Sequence, residues 1–68
     1  MSKVEIGDFF LNPDTNEVFC VVNIYTEGIM RGECTLKHVQ DIIGYFTYVS
    51  GEKLLVDYIK VVPIFLKL

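Results

Sequence analysis

Tryptophan is absent, and histidine and arginine each occur once in a chain of 68 residues. The single histidine, His38, leaves acid–base or metal chemistry short of partners. Its nearest same-face thiol on an extended strand is Cys34. Four residues of rise put the two about 13 Å apart, too far for one metal unless the strand bends, and too far for a thiol–imidazole pair, though Cys20 is unconstrained and could approach. The two cysteines, Cys20 and Cys34, are too few for a disulfide scaffold. They would complete a structural zinc site only if His38 and a carboxylate joined them. They are expected to be free, buried thiols, which fits a reducing cytoplasm. With Arg31 the only arginine and a net charge of −3, the chain is poorly equipped to neutralise phosphates, so nucleic acid is disfavoured as a partner. Residues 1–10 carry Glu5 and Asp8 and hold no apolar core of a signal peptide. The apolar stretch Val61–Leu66 is far too short to span a bilayer. No membrane association is expected, and the expected location is the cytoplasm, a host's if the chain is phage-encoded. The glycines form no phosphate-binding loop, and Ser50 lacks the glycine context of a catalytic serine. No catalytic group, cofactor or metal site is expected, and an enzyme is the least favoured class.

Hydrophobic side chains, in contrast, are abundant. They make up 51% of the chain and aromatics 13%. A chain this short hides only about 60% of its unfolded surface on folding. Some apolar side chains must therefore stay outside, where a contiguous patch marks a contact site. Charge is uneven. Met1 to Cys34 has six acids against Lys3 and Arg31, a net of −4, and Thr35 to Leu68 has three acids against four lysines, a net of +1. That balance suits a partner protein with a basic surface.

The chain reads as one domain of short β segments. A first strand runs over Val4–Leu11, interrupted at Gly7-Asp8, with Phe9 and Phe10 on opposite faces. Asn12-Pro13-Asp14-Thr15-Asn16 is the strongest turn signal. Glu17–Tyr25 follows as a second strand. Strict alternation puts Val18, Cys20, Val22 and Ile24 on one face, and Phe19, Val21, Asn23 and Tyr25 on the other. Thr26–Gly32 is a glycine-bracketed loop. Cys34–Val39 is a third strand, with Thr35 and Lys37 outward and Cys34, Leu36 and His38 inward or at a rim. Gln40–Gly44 closes a hairpin into a fourth strand, Tyr45–Val49. Ser50 has the character of a helix N-cap, with Glu52 in the first turn. A short helix over Gly51–Tyr58 is the preferred reading, and a strand over Leu54–Val62 is its rival. Pro63 ends whichever forms. Ile64–Leu68 either pairs at a sheet edge, seals a homodimer or meets a partner by strand addition.

Ile6-Gly7-Asp8-Phe9, then Glu17-Val18-Phe19-Cys20-Val21-Val22, and Tyr48-Val49-Ser50 running into Glu52-Lys53-Leu54-Leu55-Val56-Asp57-Tyr58 resemble the small SH3-like barrels of phage and bacterial accessory proteins. The resemblance implies a mainly β fold, a barrel of about five strands with one short helix near the C-terminus whose leucines plug the barrel end. It also implies binding without catalysis, as in Tudor-like and KOW-like modules and phage proteins that bind a host enzyme. The chain departs from nucleic-acid-binding members by its acidity and from peptide-binding SH3 domains by its missing tryptophan.

The candidate binding residues are Tyr25, Ile29, Met30, Tyr45, Tyr48 and Phe65. Aromatics anchor interfaces because they bury much area for little lost rotamer freedom. The competing reading packs the same rings under the helix. Ile29 and Met30 lie in the glycine-flanked loop and either fold back onto the barrel or serve a partner. Asp8, Asp14 and Glu17 cluster at the first hairpin, where a plain turn is the simpler account than a weak cation site. The leading expectation is a protein-binding module, a phage or mobile-element factor that inhibits or redirects a larger host protein. A nucleic-acid-binding Tudor- or KOW-like barrel and a small self-assembling subunit are the alternatives.

Overall fold

The computed structural model describes residues 3–39 and 46–62. The described residues are mainly β, with five antiparallel strands in one sheet and one short helix near the C-terminus. The strands are β1 (Phe9–Asn12), β2 (Glu17–Ile24), β3 (Glu33–His38), β4 (Phe46–Ser50) and β5 (Ile59–Val61). Helix α1 (Gly51–Asp57) joins β4 to β5. The sheet order is β4-β3-β2-β1-β5, so β5 returns to lie beside β1.

Local chemistry explains the turns between these strands. At the β1–β2 turn the Asn12 side chain accepts from the Asp14 backbone N–H at 3.0 Å, and the Asn16 N–H donates to the Asn12 carbonyl at 2.7 Å. Asn16 takes φ 64°, a left-handed conformation that asparagine tolerates better than most residues. Gly7, at φ 99°, breaks the expected first strand. Strand β1 therefore starts at Phe9 and not at Val4. The segment before it is tied instead to β2: the Gly7 N–H donates to the Val21 carbonyl and the Val21 N–H to the Asp8 carbonyl, each at 2.8 Å.

The helix follows its capping signal. The Ser50 hydroxyl accepts from the Lys53 N–H at 3.1 Å, and Glu52 lies in the first turn. Only Leu54 of this helix is buried, and it joins the core. The rival reading, a strand over Leu54–Val62, gives way because Ser50 caps a helix through Asp57. Strand structure resumes only at Ile59, where Ile59–Val61 pairs with Leu11–Phe9.

One face of the sheet and Leu54 form the core: Phe10, Phe19, Val21, Cys34, Leu36 and Val49. Cross-strand partners share a face. Phe10 stands opposite Phe19, Val21 opposite Leu36, and Cys34 opposite Val49. Phe9, adjacent to Phe10, points to the other face as expected.

The alternation expected along β2 fails at one point. Val21 pairs with Leu36 while Asn23 pairs with Thr35, so Val22 is an extra residue, a β-bulge. The faces exchange there. Phe19 and Val21 are core residues, and beyond the bulge it is Ile24 that packs against the core. Tyr25 is thereby turned to the outer face. Had the pairing run straight, Tyr25 would share the core face with Phe19 and Val21.

Candidate interaction surface

The outer face of the sheet is largely apolar. One row of cross-strand partners runs across all five strands: Val61, Phe9, Cys20, Lys37 and Phe46. A second joins Ile59, Leu11 and Val18, and a third joins Asn23, Thr35 and Tyr48. Lys37 is the one charged side chain in these three rows. Phe9, Leu11, Val18, Cys20 and Val61 are half-buried. Phe46 and Tyr48 are 56% and 53% exposed, and Val22 at the bulge is also exposed.

Tyr25 and Tyr48 meet on this face with ring centroids 6.5 Å apart and planes tilted by 43°. Thr35 faces outward between them in the sheet, yet it is only 7% exposed. Tyr48 is its direct cross-strand neighbour, and Tyr25 lies two residues beyond its other neighbour, Asn23. The position of Tyr25 is also fixed by its backbone. Its N–H donates to the Glu33 carbonyl and its carbonyl accepts from the Gly32 N–H, both at 2.9 Å. These bonds close the neck of the Thr26–Gly32 loop, whose tip carries Ile29 with its side chain wholly in solvent. Met30 is half-buried, and its carbonyl accepts from the Glu33 N–H at 2.9 Å. Of the six candidate residues, the structure thus brings Tyr25 and Tyr48 into contact and places Ile29 and Met30 on the loop that Tyr25 anchors. Tyr45 and Phe65 lie outside the described residues, as do the Gln40–Gly44 hairpin and the Ile64–Leu68 segment. Phe46 and the bulge residue Val22 are exposed groups of this face outside the six candidates. The signal available for Phe46 was its alternation with Thr47 and Val49, whose buried member is Val49.

The polar candidates are engaged in local structure. His38 Nε2 lies 3.1 Å from Glu17 Oε2 across the β2–β3 pair, and its ring meets Phe19 edge-on at 5.1 Å. Both thiols are free. Burial, with the negative charge of Asp8 adding to it, raises the pKa of Cys20, and Lys37 opposes the shift. Burial and then Glu33 raise that of Cys34. Each sulfur is therefore held as the neutral thiol, the less nucleophilic form. Asp8 accepts from the Glu5 backbone N–H at 2.8 Å and lies 3.5 Å from Lys60 Nζ. No group of three or more metal-ligating side chains occurs among the described residues.

A cleft of about 420 Å³ opens between the β1–β2 turn and the helix, lined by Asn12, Pro13 and Asp14 on one side and Lys53, Val56, Asp57 and Tyr58 on the other. Two of its three charged side chains pair with each other. Lys53 Nζ donates to Asp57 Oδ2 at 3.0 Å, and that hydrogen bond, followed by the Asp57 charge, raises the lysine pKa.

Among the described residues no helix is long and apolar enough to cross a membrane. Comparison of the chain with protein-family models, with curated proteins and with solved structures found no match.

Proposed function

We propose that the chain is a non-enzymatic protein-binding module that docks through the outer sheet face around Tyr25, Phe46 and Tyr48, with Ile29 as an outlying contact. The observation that carries this reading is the Tyr25–Tyr48 pair beside exposed Phe46 on a face with almost no charge. Rings held by a sheet lose little freedom on binding, which makes them efficient anchors. The bulge at Val22 supports the same reading, because bulges characteristically re-aim a side chain, and here the side chain is one of those anchors. The net charge of −3 favours a partner whose contact surface has a basic rim. The resemblance to small SH3-like accessory barrels of phage and bacteria adds the expectation that the partner is a larger host protein, inhibited or redirected by the contact.

The test is capture from a bacterial lysate by the immobilised chain, run beside the Tyr25→Ala/Tyr48→Ala double variant and a Val56→Ser variant altered on the helix. The proposal expects one stoichiometric protein to be retained by the wild type and by V56S, and lost from the double variant. Equal capture by all three would refute the assignment of the surface. A salt-dependent shift of labelled oligonucleotides by the wild type, abolished in Lys37→Ala, would favour nucleic acid over protein, with Phe46 and Tyr48 as stacking platforms.

A further inference from the structure

The two edges of the sheet are guarded very differently. Strand β5 has three residues, one of them Lys60, and Pro63 follows it closely in sequence. Strand β4 has five, Phe46-Thr47-Tyr48-Val49-Ser50, without a charge, a proline or a glycine. Its partner on one side is β3, and among the described residues no strand pairs with its other side. A β-branched, aromatic, uncharged edge exposes unpaired N–H and C=O groups, and natural sheets usually protect such edges with lysine, proline or a bulge.

We propose that β4 pairs antiparallel with β4 of a second copy of this chain, joining two sheets across a two-fold axis at Tyr48. In that register Tyr48 faces its own equivalent, Thr47 faces Val49 of the other copy, and Phe46 faces Ser50. The charge pattern favours this occupant and this direction. Neither strand carries a charge, so two acidic chains meet along a neutral strip. In β3, Lys37 stands beside Phe46 and Glu33 beside Ser50, all on the outer face. Antiparallel apposition therefore aligns the Lys37 end of each copy with the Glu33 end of the other, whereas parallel apposition would align like with like. The separation is three strand spacings, about 14 Å, longer than the screening length at physiological salt, so the charges bias orientation at low ionic strength and the strand edge supplies the attraction. The pairing also sets two Tyr25–Tyr48 patches side by side on one continuous face. It stands independently of what that face binds.

The interface is small, so the expected dissociation constant is on the order of 0.1 mM. Sedimentation equilibrium over protein concentrations from about 10 µM to about 1 mM reads it directly. The weight-average mass should rise from 7.8 kDa towards twice that value. Thr47→Lys, at an exposed position on the face away from the tyrosines, should weaken association at least about tenfold with the circular dichroism spectrum unchanged. Ile59→Lys in β5 should leave it unchanged. Amide exchange of the wild type gives a variant-free check: exchange at Phe46–Ser50 should slow as concentration rises. A monomer throughout, exchange independent of concentration, or association lost in I59K and kept in T47K would each overturn the proposal.

Discussion

Tyr25 and Tyr48 stand with their rings 6.5 Å apart on the outer face of the sheet, over a threonine that is buried although it points away from the core. That relationship exists because β2 has one residue more than β3 between Val21 and Asn23. Inserting one alanine into β3 between Thr35 and Leu36, opposite Val22, should let the two strands pair without the bulge, turn Tyr25 towards the core and carry Ile24 out of it. The expected cost is about 2 kcal/mol or more, read as a lower urea midpoint. An unchanged midpoint would show that the bulge does not hold the tyrosine outside.

The core predicts a steep contrast between faces. Phe10 is almost wholly buried, opposite Phe19 and within the cluster that includes Leu36 and Leu54. Phe10→Ala should cost about 3–5 kcal/mol. In a chain of 68 residues that is enough to unfold most molecules at room temperature. Val56→Ala, on the exposed side of the helix, should stay within about 0.5 kcal/mol of the wild type. Thermal unfolding followed by circular dichroism distinguishes the two.

Much of this fold can be read from residue types. The Asn-Pro-Asp turn, the Ser50 cap and the outward Thr35 and Lys37 follow from local chemistry, and each is found where that chemistry puts it. Alternation along β2 misleads because nothing local marks Val22 as the extra residue. The residue before it is also a valine, and the bulge is set by long-range pairing to Leu36 and Thr35. The same limit explains the first strand: Val4 and Ile6 are good strand formers, but Gly7 adopts a positive φ and hands the segment to Val21. The candidate tyrosines were legible as surplus aromatics. That Tyr25 faces out depended on that single bulge.

Ser50 offers a local test. Its hydroxyl satisfies the Lys53 N–H at the start of a helix only seven residues long, and that helix delivers Leu54 to the core. Ser50→Ala should lower stability by about 1 kcal/mol, while Ser50→Asp should keep it close to wild type. Chemical denaturation of the three proteins checks the order.

The thiols give a pH dependence with a defined sign. Burial raises the pKa of Cys34 and of Cys20 above the ordinary value of 9.0. A raised folded-state value means that the native state retains its protons where the unfolded chain begins to lose them. The stabilisation is full below pH 9.0 and is lost as pH rises through that value towards the folded one. Urea midpoints should therefore fall more between pH 8 and pH 10 for the wild type than for Cys20→Ala/Cys34→Ala. Equal falls would place the alkaline sensitivity elsewhere.

The docking surface is tested most directly by amide hydrogen exchange on the chain bound to its captured partner, compared with the free chain at the same concentration. The account predicts slowed exchange at Asn23–Tyr25, Thr35 and Phe46–Tyr48, with the turn and helix residues around the Asp14–Lys53 cleft unchanged. Protection confined to that cleft, with the strands beneath Tyr25 and Tyr48 exchanging as in the free chain, would contradict it.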